Sequence, residues 1–96
     1  MVLKSSSQDA LIKRLKRIEG QIRGIQRMIQ DNRDCESVMT QLVAVRSGIE
    51  GVGALFLVNY ITSSLQESGA SDVETINEIA KSISVWGRVH IGEKSY

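Results

Sequence analysis

The segment LIKRLKRIEGQIRGIQRMI, at residues 11–29, decides the fold class of this chain. Its apolar residues recur at alternating spacings of four and three, which is the pattern of one apolar stripe along an α-helix. The stripe consists of Leu11, Leu15, Ile18, Ile22, Ile25 and Ile29. We therefore predict an amphipathic helix over about residues 8–30, with an N-cap from the serine cluster 5–7 and an end in the polar turn 31–33.

A second apolar stripe with the same spacing follows the turn. It consists of Val38, Leu42, Val45, Ile49, Val52 and Phe56. Further apolar residues beside it make the segment apolar over more than one face, so we predict a central, most buried helix over about residues 35–67. Asp34 is its predicted N-cap. Gly48 and Gly51 inside this helix permit either the close approach of another helix or a local kink.

A third, shorter helix is predicted after a turn at residues 68–70. Ser71 and Glu74 have the spacing of a capping box at its start. Its apolar stripe consists of Ile76, Ile79, Ile83 and Trp86. Gly87 is the predicted C-cap, which places the helix at about residues 72–86 and leaves a tail at 88–96.

These elements predict an all-α fold in which a long antiparallel hairpin carries a third helix. The chain has 96 residues, which is the size of one domain, and 42% of them are apolar although only four are aromatic. Helices of this length cannot bury all their apolar surface within one copy of so small a chain. Self-association into a helical bundle is the expected consequence.

Composition also excludes several classes of protein. Residues 1–9 lack the apolar core of a signal peptide, and no uninterrupted run approaches eighteen apolar residues, so we predict no membrane partner. The single cysteine, Cys35, excludes a disulfide within the chain and fits the reducing cytoplasm. No nucleophile–base set and no phosphate-binding loop is present, so we predict that the chain is not an enzyme.

Basic residues are concentrated on the first helix, although the net charge of the chain is only +1. Seven of the twelve lie within residues 13–33, whereas residues 66–80 carry four acids and no base. Those seven are Lys13, Arg14, Lys16, Arg17, Arg23, Arg27 and Arg33. Helical spacing places most of them opposite the apolar stripe, so the face either contacts the phosphates of a nucleic acid or is simply a solvated charged surface.

Cys35 follows the predicted N-cap and lies in the first turn of the second helix. A helix N-terminus stabilises a thiolate, which binds soft metals and reacts with electrophiles and oxidants. The alternative is a buried, inert cysteine. A metal needs more ligands than this one thiol, and the only histidine is His90 in the predicted tail. A second copy of the chain would have to supply them.

Two adjoining segments carry a family resemblance. The motif RLKRIEGQIRGIQRMI at residues 14–29, followed by DCESVMTQLVAVRS at residues 34–47, resembles the copper-sensitive operon repressor (CsoR/RcnR) family, which includes metal, formaldehyde and persulfide sensors. The resemblance extends over about residues 10–84. It implies an all-α hairpin with a third helix, four-helix-bundle dimers that pair into a homotetramer, and a cytoplasmic repressor that releases operator DNA when an inducer binds.

The resemblance also implies roles for particular residues. Arg14 matches a basic position of the first helix that helps bind DNA in the family, and Arg46 on the central helix is a further candidate. The predicted interface with double-stranded DNA is therefore Lys13, Arg14, Lys16, Arg17, Arg23, Arg27 and Arg46.

The sensor positions depart from the family pattern. Cys35 matches the first metal-binding cysteine of the copper sensors, but Tyr60 stands at the histidine position and Ser64 at the second cysteine. The N-terminal histidine of nickel and cobalt sensors and the second cysteine of persulfide sensors are absent, whereas the cysteine of formaldehyde sensors is present. Glu78 matches an acid that hydrogen-bonds around the site.

The sequence thus predicts a DNA-binding repressor whose inducer acts at or near Cys35, surrounded by Tyr60, Ser64 and Glu78. The inducer is either a thiol-reactive compound or a transition metal such as copper, nickel or zinc, for which Cys35 is the one conventional ligand. The alternatives are a helical oligomeric interaction module, or a family member that has lost inducer sensing.

Overall fold

Three helices form the fold in a computed structural model that describes the backbone of residues 3–68 and 73–93 and the side chains of residues 3–67 and 73–86. They are α1 (Ser5–Gln30), α2 (Cys35–Ser68) and α3 (Val73–Glu93). α1 packs antiparallel on α2, and α3 packs on α2. No strand occurs in the described ranges, so the all-α hairpin with a third helix is confirmed.

α1 begins earlier than its apolar stripe predicts. Lys4 has the extended backbone of an N-cap (φ −60°, ψ 147°), and no side chain caps the helix there. The Gln8 N–H donates to the Lys4 carbonyl over 3.0 Å. The predicted serine cap is therefore wrong, because the three serines already belong to the first helical turn.

The turn between α1 and α2 has well-defined caps on both sides. Asn32 has φ 55°, and the Arg33 N–H donates to the Met28 carbonyl over 2.9 Å, which is a Schellman arrangement at the end of α1. At the start of α2, the Ser37 N–H donates to Asp34 Oδ2 over 3.0 Å, so the predicted N-cap is confirmed. Hydrogen bonds from the Ser37 hydroxyl and N–H lower the pKa of Asp34.

α3 is longer than the sequence predicts. The helix runs through Gly87 to Glu93, so the predicted end at residue 86 is wrong, and residues 88–93 are helical rather than a tail. A single glycine costs a helix only about 1 kcal/mol and does not by itself end it. The predicted capping-box serine, Ser71, lies outside the described residues.

Packing in the hairpin uses only half of each apolar stripe. Leu11, Ile18 and Ile25 of α1 are buried, and Ile18 and Ile25 pack with Val45 and its half-buried neighbours Val38 and Val52 on α2. The other members remain exposed and form one surface, which we call the apolar face. It consists of Leu15, Ile22, Ile29, Leu42, Ile49 and Phe56.

The glycines of α2 have different roles. A Cβ atom at Gly48 would lie 3.2 Å from Ile18 Cδ1, so this glycine allows α1 to approach closely, whereas a Cβ at Gly51 would meet nothing within 4 Å. At Gly53 a Cβ would lie 2.6 Å from Cη2 and 2.8 Å from Cε2 of the Trp86 indole. Close approach is therefore the role of Gly48, and Gly53 is the position on which α3 docks.

The central helix is unusually apolar for the little cover it has. The segment Cys35–Glu67 is long enough and apolar enough to cross a membrane, judged by length and composition alone. Within one chain, only 6% of its most apolar 18-residue stretch is buried. The core helix of a protein assembly meets the same criteria. The expectation that α2 is the most buried helix is thus not met by a single copy.

Candidate nucleic-acid interface and sensor site

The basic residues of α1 form an exposed face, and no acidic side chain of the described residues forms an ion pair with them. The predicted contact residues on this helix are Lys13, Arg14, Lys16, Arg17, Arg23 and Arg27, and all are exposed. None of the six forms an ion pair within the described part of the chain. Their charge is therefore available to an external anion.

Arg46 differs from these residues in its surroundings. It lies on α2, where its Nε is 4.0 Å from Glu50 Oε1 in an exposed i,i+4 ion pair. Such a pair contributes little to stability, but it places a carboxylate beside the guanidinium. Arg46 therefore differs from the six basic residues of α1 in having an acidic partner.

Three of the predicted sensor residues lie around the packing of α3 on α2. The Tyr60 hydroxyl donates a hydrogen bond to Glu78 Oε1 over 2.7 Å and so links the two helices. The ring of Phe56 stacks on that of Tyr60 with centroids 5.9 Å apart. Ser64, one turn further along α2, is 1% exposed. Tyr60 and Glu78 are thus in direct contact within one copy of the chain.

Cys35 is exposed at the opposite end of α2. Tyr60 lies 25 residues further along the same helix, which is roughly 37 Å at 1.5 Å per residue. One copy of the chain therefore cannot bring the thiol to Tyr60, Ser64 and Glu78. A second copy whose α2 ran antiparallel to the first would be needed to do so.

These residues do not fit the metal site of a copper sensor. The described residues contain no group of three His, Cys, Asp or Glu side chains able to hold a metal ion. Across two copies, the four sensor residues would offer one thiol, a phenol that already donates to Glu78, a serine hydroxyl and the Glu78 carboxylate. Cu(I) prefers thiolate, thioether and imidazole ligands, so hydroxyl oxygens are poor replacements.

Three residues that were not predicted as part of the DNA interface lie beside Arg14 and Arg17. Gln21 on α1, with Ala44 and Gly48 on α2, lines the same depression as these two arginines. The spacing of Ala44 and Gly48, two small residues one helical turn apart, was the available signal. Their relation to the basic helix depends on how the two helices pair.

The Tyr60–Glu78 hydrogen bond predicts a pH dependence. This bond raises the pKa of Tyr60 above its ordinary value of 10.0, with desolvation and the Glu78 and Glu67 charges acting in the same direction. Its contribution to stability should be fully present below about pH 10 and be lost as the pH rises through the pKa of the folded protein. Ultraviolet titration of tyrosinate should show Tyr60 ionising at lower pH in Glu78→Gln; an unchanged profile would contradict the link.

Comparison with known proteins gives one matching family. The sequence profile described as "Metal-sensitive transcriptional repressor" matches residues 7–84. The copper-sensing transcriptional repressor CsoR of Bacillus subtilis is 39% identical over 56 residues, which are 58% of this chain and 55% of that protein. The copper-sensing transcriptional repressor RicR of Mycobacterium tuberculosis is 40% identical over 58 residues, 60% of each chain. The matches thus span less than two thirds of these relatives.

Two solved structures resemble the whole fold. The nickel-responsive transcriptional regulator InrS superposes with a TM-score of 0.74 at 30% identity, covering 90% of this chain and 97% of InrS. The copper-sensing repressor CsoR with Cu(I) from Geobacillus thermodenitrificans superposes with a TM-score of 0.75 at 27% identity, covering 91% and 93%. All four proteins are regulators and none is an enzyme by name, which agrees with the predicted absence of catalysis.

Proposed function

This chain belongs to the metal-sensitive transcriptional repressor family, and we propose that it is a cytoplasmic DNA-binding repressor that releases its operator when an inducer acts at or near Cys35. The observation that carries the proposal is the basic face of α1, whose six cationic side chains are exposed and form no ion pairs within the described residues. A face of this kind binds DNA by contacting phosphates and displacing counterions.

We propose that a second copy of the chain covers the apolar face. Leu15 and Ile49, from different helices, are still 44% and 43% exposed there. Lipid is a poor alternative, because Arg46 and Glu50 lie near the middle of α2, where charges are costly in a bilayer. Pairing of hairpins gives a four-helix-bundle dimer, and two dimers give the tetramer expected from the family resemblance.

The inducer site then forms between copies. Cys35 of one chain would lie near Tyr60, Ser64 and Glu78 of another, since Cys35 begins α2 whereas Tyr60 and Ser64 lie towards its other end, where Glu78 of α3 accepts the Tyr60 hydrogen bond. The soft-ligand set of a copper sensor is incomplete in this arrangement, so the thiol is the group through which we expect the inducer to act. An inducer that changes the packing of α2 against its partner would shift the population of the DNA-binding arrangement.

Titration of labelled DNA from upstream of the gene for this protein tests the proposal. We expect the logarithm of the affinity to fall linearly with the logarithm of salt concentration, with a slope that counts displaced counterions. Unrelated DNA of equal length is the control for specificity. Absence of binding even at low salt would reject the repressor function and favour a helical interaction module.

Replacing Cys35 with alanine should separate DNA binding from sensing. Because the thiol is exposed and belongs to α2 rather than to the basic face of α1, Cys35→Ala should bind operator DNA within about twofold of the wild type, well below the tenfold change that 1.4 kcal/mol produces. The variant should no longer release DNA when Cu(I), Ni(II), formaldehyde or a persulfide donor dissociates the wild-type complex. A full response of Cys35→Ala to that inducer would remove Cys35 from the mechanism.

A further inference from the structure

A cleft of about 220 Å³ lies between α1 and α2, on a different part of the surface from the sensor residues. One wall belongs to the basic helix and the other to the central helix. The lining residues are Arg14, Arg17, Ile18, Gln21, Ala44 and Gly48.

The chemistry of this cleft is that of an anion site. Arg14, Arg17 and Gln21 provide guanidinium and amide donors from successive turns of α1, and no carboxylate is among the lining residues. Neither arginine forms an ion pair within the described residues. Guanidinium groups bind phosphate oxygens in a bidentate manner, which makes phosphate the oxyanion best matched to these donors.

The opposite wall leaves room for a ligand. Ala44 and Gly48 are the two smallest residue types, and they lie one turn apart on α2. Neither residue therefore fills the space between α2 and the two arginines. Ile18 closes the base of the cleft and is itself buried. Two arginines thus line this depression, whereas Lys13, Lys16, Arg23 and Arg27 do not.

We propose that this cleft holds one phosphate of the DNA backbone, with Arg14, Arg17 and Gln21 donating to its oxygens. This proposal rests on the proposed function and adds detail to it. It divides the basic residues of α1 into a cleft pair, Arg14 and Arg17, and an outer group that does not line the cleft. The outer group would contribute longer-range attraction, whereas the cleft would fix the position of the duplex on the protein.

The position of the cleft couples DNA binding to helix packing. Its two walls belong to different helices, and their separation is set where Ile18 meets Gly48, at which an added Cβ would lie 3.2 Å from Ile18 Cδ1. A change in the pairing of α1 with α2 would therefore alter the width of the phosphate site. Repacking of the helices by an inducer would thus change the contacts with DNA directly.

Arginine substitutions give the first test. Arg17→Ala should weaken operator binding by about tenfold or more and should reduce the salt slope by about one for each cleft in contact with DNA. Arg23→Ala is the matched control, because Arg23 is exposed on the same helix but does not line the cleft. Equal losses in the two variants would show that only total charge matters and would overturn the proposal.

Filling the cleft without changing its charge gives the second test. Ala44→Leu should weaken operator binding by about tenfold, the effect of losing roughly 1.4 kcal/mol of contact, because its side chain would occupy the space for the phosphate. Ala54→Leu makes the same change at another exposed alanine of α2 that does not line the cleft. Both variants are first compared by circular dichroism and sedimentation. Unchanged binding by a folded Ala44→Leu protein of normal oligomeric state would reject the site.

Inorganic phosphate, added at the same ionic strength as a chloride control, identifies the source of the bound group. We expect it to displace DNA no more than chloride does, because a free anion lacks the neighbouring contacts along the duplex. Displacement at low concentration that disappears in Arg17→Ala would assign the cleft to a free phosphate compound instead.

Failure of the wild type to bind DNA at all would reject the proposed function, whereas binding that is insensitive to Arg17→Ala and Ala44→Leu rejects the cleft alone.

Discussion

Gly53→Ala is expected to displace α3 from α2 and to lower the free energy of unfolding. The new Cβ would lie 2.6 Å from Trp86 Cη2 and 2.8 Å from Cε2, which are distances that a rigid indole cannot accept. Overpacking of this kind costs about 1–3 kcal/mol, even though alanine favours the helix itself. The consequence reaches the sensor region, because the same displacement would strain the hydrogen bond between Tyr60 and Glu78.

Gly51→Ala is the matched control for this prediction. It lies in the same helix, and an added Cβ would meet nothing within 4 Å. The only expected effect is therefore the gain in helix propensity, which stabilises by up to about 1 kcal/mol. The two glycine substitutions should change stability in opposite directions.

Tryptophan fluorescence measures the outcome directly, because Trp86 is the only tryptophan in the chain. Gly53→Ala should shift the emission to longer wavelength as the indole becomes more exposed, and chemical denaturation should show the lower stability. Both variants are compared at the same oligomeric state. A Gly53→Ala protein with wild-type emission and unchanged or raised stability would contradict the docking of α3 on this glycine.

Ile49→Glu is expected to dissociate the assembly into single chains. Ile49 lies in the middle of the apolar face and is 43% exposed in one copy. If a second copy covers this face, the substitution buries an unpaired carboxylate, and it does so twice in a symmetric dimer. Each unpaired charge costs several kcal/mol, so the dissociation constant should rise by at least about a hundredfold.

Ser47→Glu introduces the same charge on the opposite side of α2, two residues away. Residues two apart on a helix point in nearly opposite directions, and Ser47 is exposed. In analytical ultracentrifugation, the molar mass of Ser47→Glu should match that of the wild type. The molar mass of Ile49→Glu should be that of one chain. Unchanged assembly of Ile49→Glu would show that another surface carries the association.

Loss of assembly should also weaken DNA binding. Each basic face of α1 occurs once per chain, so a dissociated protein touches fewer phosphates of one duplex. The salt slope of Ile49→Glu should therefore be shallower than that of the wild type, because fewer counterions are displaced from the DNA. Sensing should disappear as well, since one chain separates Cys35 from Tyr60 by most of the length of α2.

Local features of the sequence were sufficient for the helices. The alternating spacing in residues 11–29 and in the second stripe defined α1 and α2, and Asp34 identified the start of α2 because its carboxylate caps the N–H of Ser37. These features depend on neighbours within one or two turns. The ends of helices were less predictable: Ser5 to Ser7 lie inside α1, and Gly87 lies inside α3.

The candidate site was only partly predictable for the same reason. The basic residues of α1 and the sensor residues Cys35, Tyr60, Ser64 and Glu78 were identified from spacing and family resemblance. The position of Gln21 and Ala44 beside Arg17 could not be predicted, because it depends on how α1 and α2 pack together.

The three helices, and the apolar and basic sides of α1, follow from residue spacing alone, since helical periodicity is a local property of the backbone. Tertiary structure alone decided which half of each stripe is buried. Ile18 faces α2 while Ile22 stays exposed, although both belong to the same pattern. It also decided that Gly53 receives Trp86, because the rotation of a helix about its axis is set by packing against distant residues rather than by its own spacing.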